Sequence, residues 1–559
     1  MVCHLFVLAA LVLSLPSILA HPLDASLQHA TGDFILQANV SECKAAVRSG
    51  SNAVEIVFDA RTSTLSSTST YSSYSLEPSS GTIEFIRYRN GAKSVLQTVT
   101  TDPTKWNDNG TAPLRIELLR RGTFYLLYLG GSHLDSQPIT YVQRPSSEVM
   151  CSSGGNSVEH ELEPLSAFTG FKDVSGGVFQ LNSLTVQPFR FEAAELPSAP
   201  VLTHCPTCGV TCDLAHGKTD GCWAFNQVIP GGGLLQTPNG SFVLYVAAQD
   251  YNGNDGGGKA RMGVATGPSL DQLSLHPEFV LEGTPGALDE RSIFPNGALV
   301  LNNGTVVVTY MGQAADDSWG GIFLASSACA IGCAWYKHGV VLGCAQHNAT
   351  GADPQVCGAA TSRARPIHEH DLLRLPNGTF VLFYAGNTAP GDQGFLATAD
   401  DMRGPWRNYA GNPALPLPLK ECGAYPDSTC WDGEHRRPRS LLKFKDWWYL
   451  LYEGTTHHPS SLGGCWGDTI GLMRSKTLEG PYVERHPLQI IVPSQPNARF
   501  DSTWTGWPRA HISEITGELL VLYAAGGRDM QDSSKGIHDF ASTGLRRWSL
   551  EKLTNWSGS

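Results

Sequence analysis

The strongest constraint on the fold is a β-hairpin unit that the sequence repeats at nearly constant intervals. In each copy an apolar run ends at a turn, and a second run rich in β-branched and aromatic residues follows. The turns fall at Gly240, Gly304, Gly378, Asp446 and Gly517, which are 64, 74, 68 and 71 residues apart. Repeats of this length with three or four short strands are typical of β-propeller blades. Five copies predict five blades over residues 220–555. The alternative, a stacked solenoid, has shorter repeats and is therefore less favoured.

The copy at Arg365–Trp406 shows the unit most completely. Its sequence is RPIHEHDLLRLPNGTFVLFYAGNTAPGDQGFLATADDMRGPW. Leu372–Leu375 and Thr379–Ala385 are predicted strands on either side of a Pro-Asn-Gly turn. Gly394–Ala399 is a predicted third strand, and the ionisable run His368-Glu369-His370-Asp371 comes just before the first. The unit therefore joins a small sheet to side chains that can do chemistry.

Residues 21–195 lack this repeat. They contain runs with period-2 alternation at 53–60, 81–88, 114–119 and 123–128. Strands in this number without helical patterns predict a β-sandwich. Residues 196–219 follow as a cysteine-rich linker. The fold class predicted for the 559 residues is therefore all-β, with a β-sandwich followed by a five-bladed propeller.

Residues 1–20 predict a secretory signal peptide, because they form an apolar run with small residues near Ala20. The alternative is a membrane anchor, for which the run is short and is interrupted by Pro16. Seven Asn-x-Ser/Thr sequons occur, at Asn39, Asn109, Asn239, Asn303, Asn348, Asn377 and Asn555. The fourteen cysteines and these sequons suit an oxidising route. We expect a secreted, extracellular, disulfide-bonded glycoprotein.

Cysteine positions suggest two disulfides. Cys43 and Cys151 are the only thiols of the predicted sandwich, and Cys422 and Cys430 flank a short loop. Four more cysteines lie in or next to the linker, at Cys205, Cys208, Cys212 and Cys222, and a further four lie after blade two, at Cys329, Cys333, Cys344 and Cys357. The linker group is a disulfide knot or a zinc site, and a secreted chain favours the first.

Charge limits the partners. The net charge is −12 and the chain has no long Lys/Arg run, so the sequence predicts no nucleic-acid partner. No stretch beyond residue 20 is apolar and long enough to span a bilayer, so no membrane partner is expected either. We expect a monomer without a cofactor. A structural calcium ion is the one alternative that we retain.

Candidate site residues lie where each predicted first strand begins. In a propeller these positions come together around the axis from different blades. Blade two offers Asp289 and Glu290, and blade three offers His368, Glu369, His370 and Asp371. Blade four offers Asp432, Glu434, Arg436 and Arg439, and blade five offers Asp501, Trp504 and Arg509. Each of these residues could instead have a purely structural role. An acid could pair with a nearby Arg, a histidine could be hydrogen-bonded in the core, and a Trp could pack within a blade.

These features resemble a known family. Five blades, acids at the start of successive first strands, and third strands that read ATADDMRGPW and MRSKTLEGPY are similar to the five-bladed β-propeller glycosidases of the arabinanase/xylosidase and invertase types. The strand pattern of residues 81–130 resembles the concanavalin-like jelly rolls attached to carbohydrate-active enzymes, which implies an accessory carbohydrate-binding domain.

The resemblance implies a glycoside hydrolase that acts on a poly- or oligosaccharide. Its transition state needs an anion on one side of the sugar and a proton donor on the other. The catalytic candidates are Asp371, Glu290, Glu434 and Asp432. The substrate-binding candidates are Asp289, His368, Glu369, His370, Arg436, Arg439, Asp501, Trp504 and Arg509. We expect these residues to share one pocket, in which crowding raises the pKa of one carboxyl.

Blade one departs from the family pattern, because Asn226 and Gln227 stand where the family carries an acid. Two alternatives therefore stay open. One is a carbohydrate-binding protein without activity, and the other is different carbohydrate chemistry, such as phosphorolysis or elimination, on the same fold.

Overall fold

The computed structural model describes most of the propeller and the strands of the N-terminal region. The described residues are 34–42, 54–60, 71–77, 82–89, 92–100, 114–121, 124–129, 140–143, 168–173, 179–188, 200–203, 224, 227–249, 259–316, 318–344, 352–359, 366–423, 430–455, 469–486, 489–492, 504–513, 517–526 and 542–551. The predicted signal peptide, the Cys43–Cys151 pair and the four linker cysteines lie outside them.

The N-terminal region contains ten described strands. They are β1 (Phe34–Glu42), β2 (Val54–Ala60), β3 (Tyr71–Glu77), β4 (Thr82–Arg89), β5 (Ala92–Thr100), β6 (Leu114–Arg121), β7 (Phe124–Leu129), β8 (Thr140–Gln143), β9 (Phe168–Asp173) and β10 (Phe179–Pro188). They form two antiparallel sheets, in the orders β10-β1-β6-β7-β8 and β5-β4-β3-β2-β9. Alternate residues are buried, such as Tyr74 and Leu76 on one sheet and Ile116 and Leu118 on the other. A sheet that buries one face is the unit of the predicted β-sandwich.

Five groups of antiparallel strands follow, one for each predicted blade, and a single parallel bridge joins those of blades three and four into one sheet. Blade one contains β11 (Gln227–Ile229), β12 (Leu234–Gln236), β13 (Phe242–Gln249), β14 (Ala260–Gly267) and β15 (Ser274–Leu275). Blade two contains β16 (Ser292–Val300), β17 (Val306–Gln313), β18 (Trp319–Ser327) and β19 (Trp335–Leu342). Blade three contains β20 (Ile367–Arg374), β21 (Phe380–Thr388), β22 (Gly391–Ala399) and β23 (Arg407–Asn408).

Blade four contains β24 (His435–Phe444), β25 (Trp447–Thr455), β26 (Thr469–Ser475) and β27 (Glu484–Arg485), and blade five contains β28 (Trp504–Ser513), β29 (Glu518–Gly526) and β30 (Ser542–Ser549). Short helices lie at Pro354–Ala359 and Leu419–Cys422. No helix among the residues described here is long and apolar enough to cross a membrane. The prediction of an all-β chain with five blades is confirmed.

The blades close into a ring. The first strands of successive blades pack together, β16 on β20, β20 on β24 and β24 on β28, and β12 contacts both β16 and β28. The two ends of the propeller are joined by hydrogen bonds. Thr543 of β30 donates to Leu202 O at 2.8 Å, and Val201 donates back to Thr543 O at 2.8 Å. A segment that precedes blade one thus completes blade five.

Every blade has a buried tyrosine at the same place on its second strand. These residues are Tyr245, Tyr310, Tyr384, Tyr452 and Tyr523, and each is at most 1% exposed. They lie within runs such as the wholly buried FVLYVAAQ of β13, so second strands are covered on both faces by neighbouring blades. Removing five such rings from water contributes strongly to propeller stability, at about 2–3 kcal/mol for each large side chain.

Three disulfides lie within the described part of the chain. Cys422–Cys430 has a Cα–Cα distance of 5.4 Å, which confirms that predicted pair. The cluster after blade two forms Cys329–Cys333 and Cys344–Cys357, with Cα–Cα distances of 5.6 Å and 5.5 Å. These bridges fasten loops that leave the sheets on blades two to four.

Candidate functional site

The first strands of blades two to five each carry a β-bulge at a corresponding position. The register shifts fall between Pro295 and Gly297, between His368 and His370, between Pro438 and Ser440, and between Gly506 and Arg509. A bulge adds a residue to one strand and redirects its side chain. The residues skipped in the pairing include Asn296, Glu369, Arg439 and Trp507. Three of these, Glu369, Arg439 and Trp507, meet near the propeller axis.

Arg439 joins two glutamates from different blades. Its Nη2 lies 3.1 Å from Glu369 Oε1 and 2.7 Å from Glu453 Oε2, and its Nε donates to the same Glu453 oxygen at 3.0 Å. The guanidinium also lies 3.9 Å from the centre of the Trp507 ring. The Arg439 side chain is 1% exposed and the two glutamates are 2% exposed. Buried acids of this kind are stable only beside such cations.

A second arginine, Arg437, connects these residues to Asp392 on the third strand of blade three. Arg437 Nε lies 2.7 Å from Asp392 Oδ2, and its Nη1 donates to Glu453 Oε1 at 3.4 Å. His368 contacts the Glu369 carboxylate and lies 3.4 Å, through Nε2, from Asp392 Oδ1. Asp392 therefore connects an arginine and a histidine within one buried network.

His435 and Glu434 form the outer edge of this network. His435 Nδ1 lies 3.0 Å from Asp392 Oδ2, and its Nε2 lies 3.2 Å from Glu434 Oε1. The side chains of Glu434, His435 and Arg437 are 13%, 10% and 12% exposed, whereas the carboxylates behind them are almost completely buried. A ligand that approaches the axis from solvent would meet these three groups first.

We call these eight residues the central cluster: His368, Glu369, Asp392, Glu434, His435, Arg437, Arg439 and Glu453. Their meeting depends on one backbone contact between blades, a parallel bridge from Asp392 to His435, supported by the Asp392 N–H, which donates to Glu434 O at 3.1 Å. This bridge joins the third strand of blade three to the first strand of blade four.

Two carboxylates of the central cluster, those of Glu369 and Asp392, are held ionised. Burial alone would raise the pKa of Glu369, but Arg439, His368 and Arg437 outweigh it and hold that pKa well below its ordinary value. For Asp392 the opposing effects are the same, with His368, Arg437 and His435 holding the pKa well below its ordinary value. These two acids are therefore anions at neutral pH.

Neighbouring carboxylates raise the pKa of both imidazoles in the central cluster. Burial lowers the pKa of His368, yet Glu369 and Asp392 outweigh burial, so that the net pKa is raised. Burial and Arg437 lower the pKa of His435, but Asp392 and Glu434 raise it to about 9. His435 is thus a charged proton carrier at the partly exposed edge of an anionic cluster.

The backbone at Trp507 is strained in a way that serves this cluster. Trp507 has φ +52°, a conformation that costs a bulky residue free energy. In this conformation its N–H donates to Glu453 Oε2 at 2.9 Å, while its ring covers Arg439. A Cβ on the preceding Gly506 would lie 3.1 Å from the same Glu453 oxygen, so the site requires close backbone approach.

Asp371 and Arg509 form a separate axial network. Arg509 donates from Nη1 to Asp371 Oδ1 at 2.9 Å, from Nε to Gly231 O at 2.7 Å and from Nη2 to His370 O at 2.9 Å. It also donates to Arg439 O and Asn296 O. One guanidinium from blade five thus bonds to all four other blades, and it is 3% exposed.

Asp371 uses its oxygens within this network. Oδ2 accepts from the Leu441 N–H at 2.8 Å, and Oδ1 accepts from the Leu372 N–H at 3.0 Å. Burial raises the pKa of Asp371, and Arg509 counteracts part of that rise. His370 is fully buried, and neither of its ring nitrogens has a partner among the described residues. Burial, Arg509 and Arg439 hold its pKa well below its ordinary value, so the ring is neutral.

Asp289 and Asp432 occupy equivalent structural positions within their blades. Asp432 accepts from Tyr452 OH at 2.7 Å, from Arg436 Nε at 2.9 Å and from Arg485 Nη1 at 2.6 Å. Asp289 accepts from Tyr310 OH at 2.9 Å and Lys337 Nζ at 2.8 Å. Each acid precedes its first strand and ties that strand to the second-strand tyrosine and an outer-strand cation. We call this arrangement the Asp–Tyr brace.

The candidate residues were expected to share one pocket, but the contacts divide them into several groups. The central cluster contains His368, Glu369, Glu434 and Arg439; the axial network contains His370, Asp371 and Arg509; the braces contain Asp289, Asp432 and Arg436. Glu290 lies apart, in a loop where it accepts from the Gly286 N–H at 2.8 Å. Asp501 and the side chain of Trp504 lie outside the described residues. Among the residues that the structure describes, no group of three or more His, Cys, Asp or Glu side chains is placed to hold a metal ion.

Two members of the central cluster, Asp392 and Glu453, lie outside the candidate segments of the sequence, whereas His435 and Arg437 lie inside the blade-four segment 431–439 but were not chosen as site residues. A signal for Glu453 exists, because it follows the repeated tyrosine, where the other blades carry Val246, Met311, Ala385 and Ala524. A single acid in a column of apolar residues marks a position with a special role. Asp392 and His435 carry no comparable signal.

Comparisons with known proteins give structural likeness only. No family model matches the chain, and no curated protein matches it. A glycosyl hydrolase from Bacteroides ovatus is 15% identical, covers 65% of this chain and 94% of its own, and has a TM-score of 0.45. A structure from the GH130 family, described as mannoside phosphorylases that include glycoside hydrolases, is 14% identical, with coverage of 65% and 94% and a TM-score of 0.44. An α-L-arabinofuranosidase from Lactobacillus brevis is 8% identical, with coverage of 57% and 91% and a TM-score of 0.38. A likeness this distant assigns no activity to the chain.

Proposed function

We propose that this chain is a glycoside hydrolase whose reaction takes place at the outer edge of the central cluster. The observation that carries the proposal is the meeting of four carboxylates with a protonated imidazole around the axial ends of blades three and four. Glycosidic bond cleavage needs stabilisation of positive charge on the sugar and a proton for the leaving oxygen. The central cluster holds both kinds of group within ion-pair distance of one another.

Glu434 and His435 are the proposed proton-donating unit. Glu434 is partly exposed, and the buried His435 Nε2 lies 3.2 Å from its Oε1. Asp392 at 3.0 Å from Nδ1 orients the ring, as a carboxylate does for a catalytic histidine elsewhere. A proton shared by this pair can pass to the departing oxygen, and the pair can later take one from the attacking water.

The inner acids supply the negative potential. Glu369, Asp392 and Glu453 are buried, and Arg437 and Arg439 fix their positions. Fixed charges in a site with little water stabilise developing opposite charge without reorganising. We infer that the anionic side of the cluster favours the oxocarbenium-like state, while the partly exposed Arg437 holds substrate hydroxyl or carboxylate groups.

The test is hydrolysis of a panel of poly- and oligosaccharides by the purified full chain, with released sugars measured by chromatography. Glu434→Gln keeps the shape of the side chain and removes its titration, so we expect kcat to fall by roughly 10²–10⁴-fold. Glu421→Gln is the matched control, since Glu421 is an exposed acid on the Leu419–Cys422 helix. Full activity in Glu434→Gln, with unfolding unchanged, would overturn the proposed role.

The alternatives give different results in the same assay. Wild-type protein that binds a saccharide without any turnover is a binding protein. Turnover only when inorganic phosphate is added indicates phosphorolysis, and an unsaturated product that absorbs in the ultraviolet indicates elimination. Each of these results replaces hydrolysis as the function.

We also propose that the protein is secreted and N-glycosylated. Three disulfides among the described residues support an oxidising compartment. Three sequon residues, Asn239, Asn303 and Asn377, are exposed at the hairpin turns of blades one to three, where a glycan would extend into solvent.

A further inference from the structure

The hairpin between β24 and β25 carries cations that lie over aromatic rings. Lys443 Nζ lies 5.1 Å from the centre of the Trp448 ring, and Lys445 Nζ lies 5.2 Å from that of Phe444. On the neighbouring strand end, Lys476 Nζ lies 3.7 Å from the Trp447 ring centre. Arg474 lies 4.3 Å from the same ring. We call these seven residues the lysine–tryptophan patch: Lys443, Phe444, Lys445, Trp447, Trp448, Arg474 and Lys476.

The three lysines of the patch are exposed, and none has a carboxylate partner within the described ranges. Arg474 differs, since its Nε lies 2.8 Å from Glu484 Oε2. In a chain with a net charge of −12, Lys443 and Lys445 at the β24–β25 turn and Lys476 after β26 outnumber the one acid of that turn, Asp446, and give a local excess of positive charge. Aromatic rings beneath them restrict their positions, so an anionic ligand would meet cations that are already placed.

The patch lies at the end of blade four that is distant from the central cluster. Seven residues of β24 separate Arg437 from Phe444, which corresponds to about 23 Å of strand. A ligand on the patch is therefore not the part of a substrate that undergoes reaction. The inference does not depend on the proposed hydrolysis.

Three of the four equivalent turns in the other blades carry a glycosylation sequon, and the turns of blades four and five carry none. Blades one, two and three carry Asn-Gly-Ser or Asn-Gly-Thr there, at Asn239, Asn303 and Asn377, whereas blade four carries Lys445-Asp446. The turn of blade four has no sequon, so glycosylation at the other three turns would leave the patch uncovered.

We propose that the lysine–tryptophan patch binds an acidic polysaccharide, with carboxylate or sulfate groups spaced along the chain. Lys476 beside Trp447 gives an acidic sugar an exposed cation next to an aromatic ring. Lys443 and Lys445 lie further along the same turn and can hold the next charged sugar. Such binding would retain the protein on an anionic matrix with the central cluster facing away from it.

The test measures affinity for polygalacturonate, which carries carboxylates, for heparin, which carries sulfates, and for neutral dextran. The patch variant is Lys443→Gln with Lys445→Asn and Lys476→Gln; asparagine is chosen because Lys445 has φ +53°, which asparagine tolerates. The matched control, Arg403→Gln with Arg407→Gln and Lys420→Gln, removes the same three charges at other exposed positions.

We expect the wild type to bind at least one acidic polysaccharide and not dextran, with affinity that falls as salt is raised. The patch variant should lose roughly tenfold or more in affinity, and the control should stay close to the wild type. Thermal unfolding should be unchanged in both variants. Equal affinities in the two variants would overturn the proposal. So would failure of the wild type to bind either polyanion, or stronger binding to anionic lipid vesicles or DNA.

Discussion

Asp432 offers the sharpest test of whether a candidate acid is catalytic or structural. Its sequence context predicts catalysis, whereas its contacts predict an Asp–Tyr brace. Its side chain is completely buried and accepts hydrogen bonds from Tyr452, Arg436 and Arg485. The substitution Asp432→Asn keeps the volume and removes the charge. If Asp432 is a brace, stability should fall, and any remaining folded protein should keep its activity.

The magnitude follows from two independent considerations. Burial raises the pKa of Asp432, but Arg436 and Arg485 outweigh it and lower the pKa from 3.8 to about 2, which corresponds to about 2–3 kcal/mol. Breaking a buried ion pair by removing one partner costs roughly 3–5 kcal/mol, because a charge is left uncompensated. We therefore expect Asp432→Asn to lower the free energy of unfolding by about 3 kcal/mol at neutral pH.

The pH dependence has a fixed sign. A carboxyl whose pKa is lowered by folding stabilises the protein above the unfolded pKa, and this contribution is lost as pH falls through the folded pKa. The difference between wild type and Asp432→Asn should be constant above pH ~4 and should vanish as pH falls to about 2. Denaturant unfolding followed by tryptophan fluorescence measures it at each pH.

The control is Asp400→Asn, which breaks an ion pair that is exposed on both sides, 77% at Asp400 and 56% at Arg407. Its unfolding midpoint should stay at the wild-type value. The reasoning would be refuted if Asp432→Asn were as stable as the wild type at neutral pH. Loss of activity at full stability would return Asp432 to the catalytic role that its sequence position suggests.

Two further predictions concern the axis and the proton donor. Arg509→Met should lower the free energy of unfolding by roughly 3 kcal/mol or more, because it leaves Asp371 buried without its cation; the double variant with Asp371→Asn should recover part of the loss in denaturant unfolding, and additive losses would contradict the pairing. For His435, whose pKa rises from 6.5 to about 9 on folding, stabilisation should be complete below pH 6.5 and be lost as pH rises through about 9. The pH–rate profile should fall over the same alkaline range, and His435→Gln should remove that limb; a limb that persists in the variant would assign it to another group.

The sequence determines the blades because their signals are local. An Asn-Gly pair between two apolar runs is a strong local signal for a hairpin, and Gly240, Gly304 and Gly378 have the positive φ angles of 87°, 83° and 91° that such turns need. Cys422 and Cys430 are close in the chain, so their pairing could also be predicted. The number of blades and this disulfide follow from interactions within a few residues, whereas the pairing of Leu202 with Thr543 that closes blade five does not.

The role of each acid was decided only by the tertiary structure. Asp432 and Glu434 are two residues apart, yet one belongs to a brace and the other to the central cluster, because they meet side chains from different strands. Asp392 reaches His435 through a single bridge between blades. Arg509 bonds to residues up to 278 positions away. Two bulges, one on β20 and one on β24, place Glu369 and Arg439 together, and no local sequence pattern specifies these bulges. Hairpins depend on neighbours in the chain, whereas a buried charge depends on partners that only ring closure brings near.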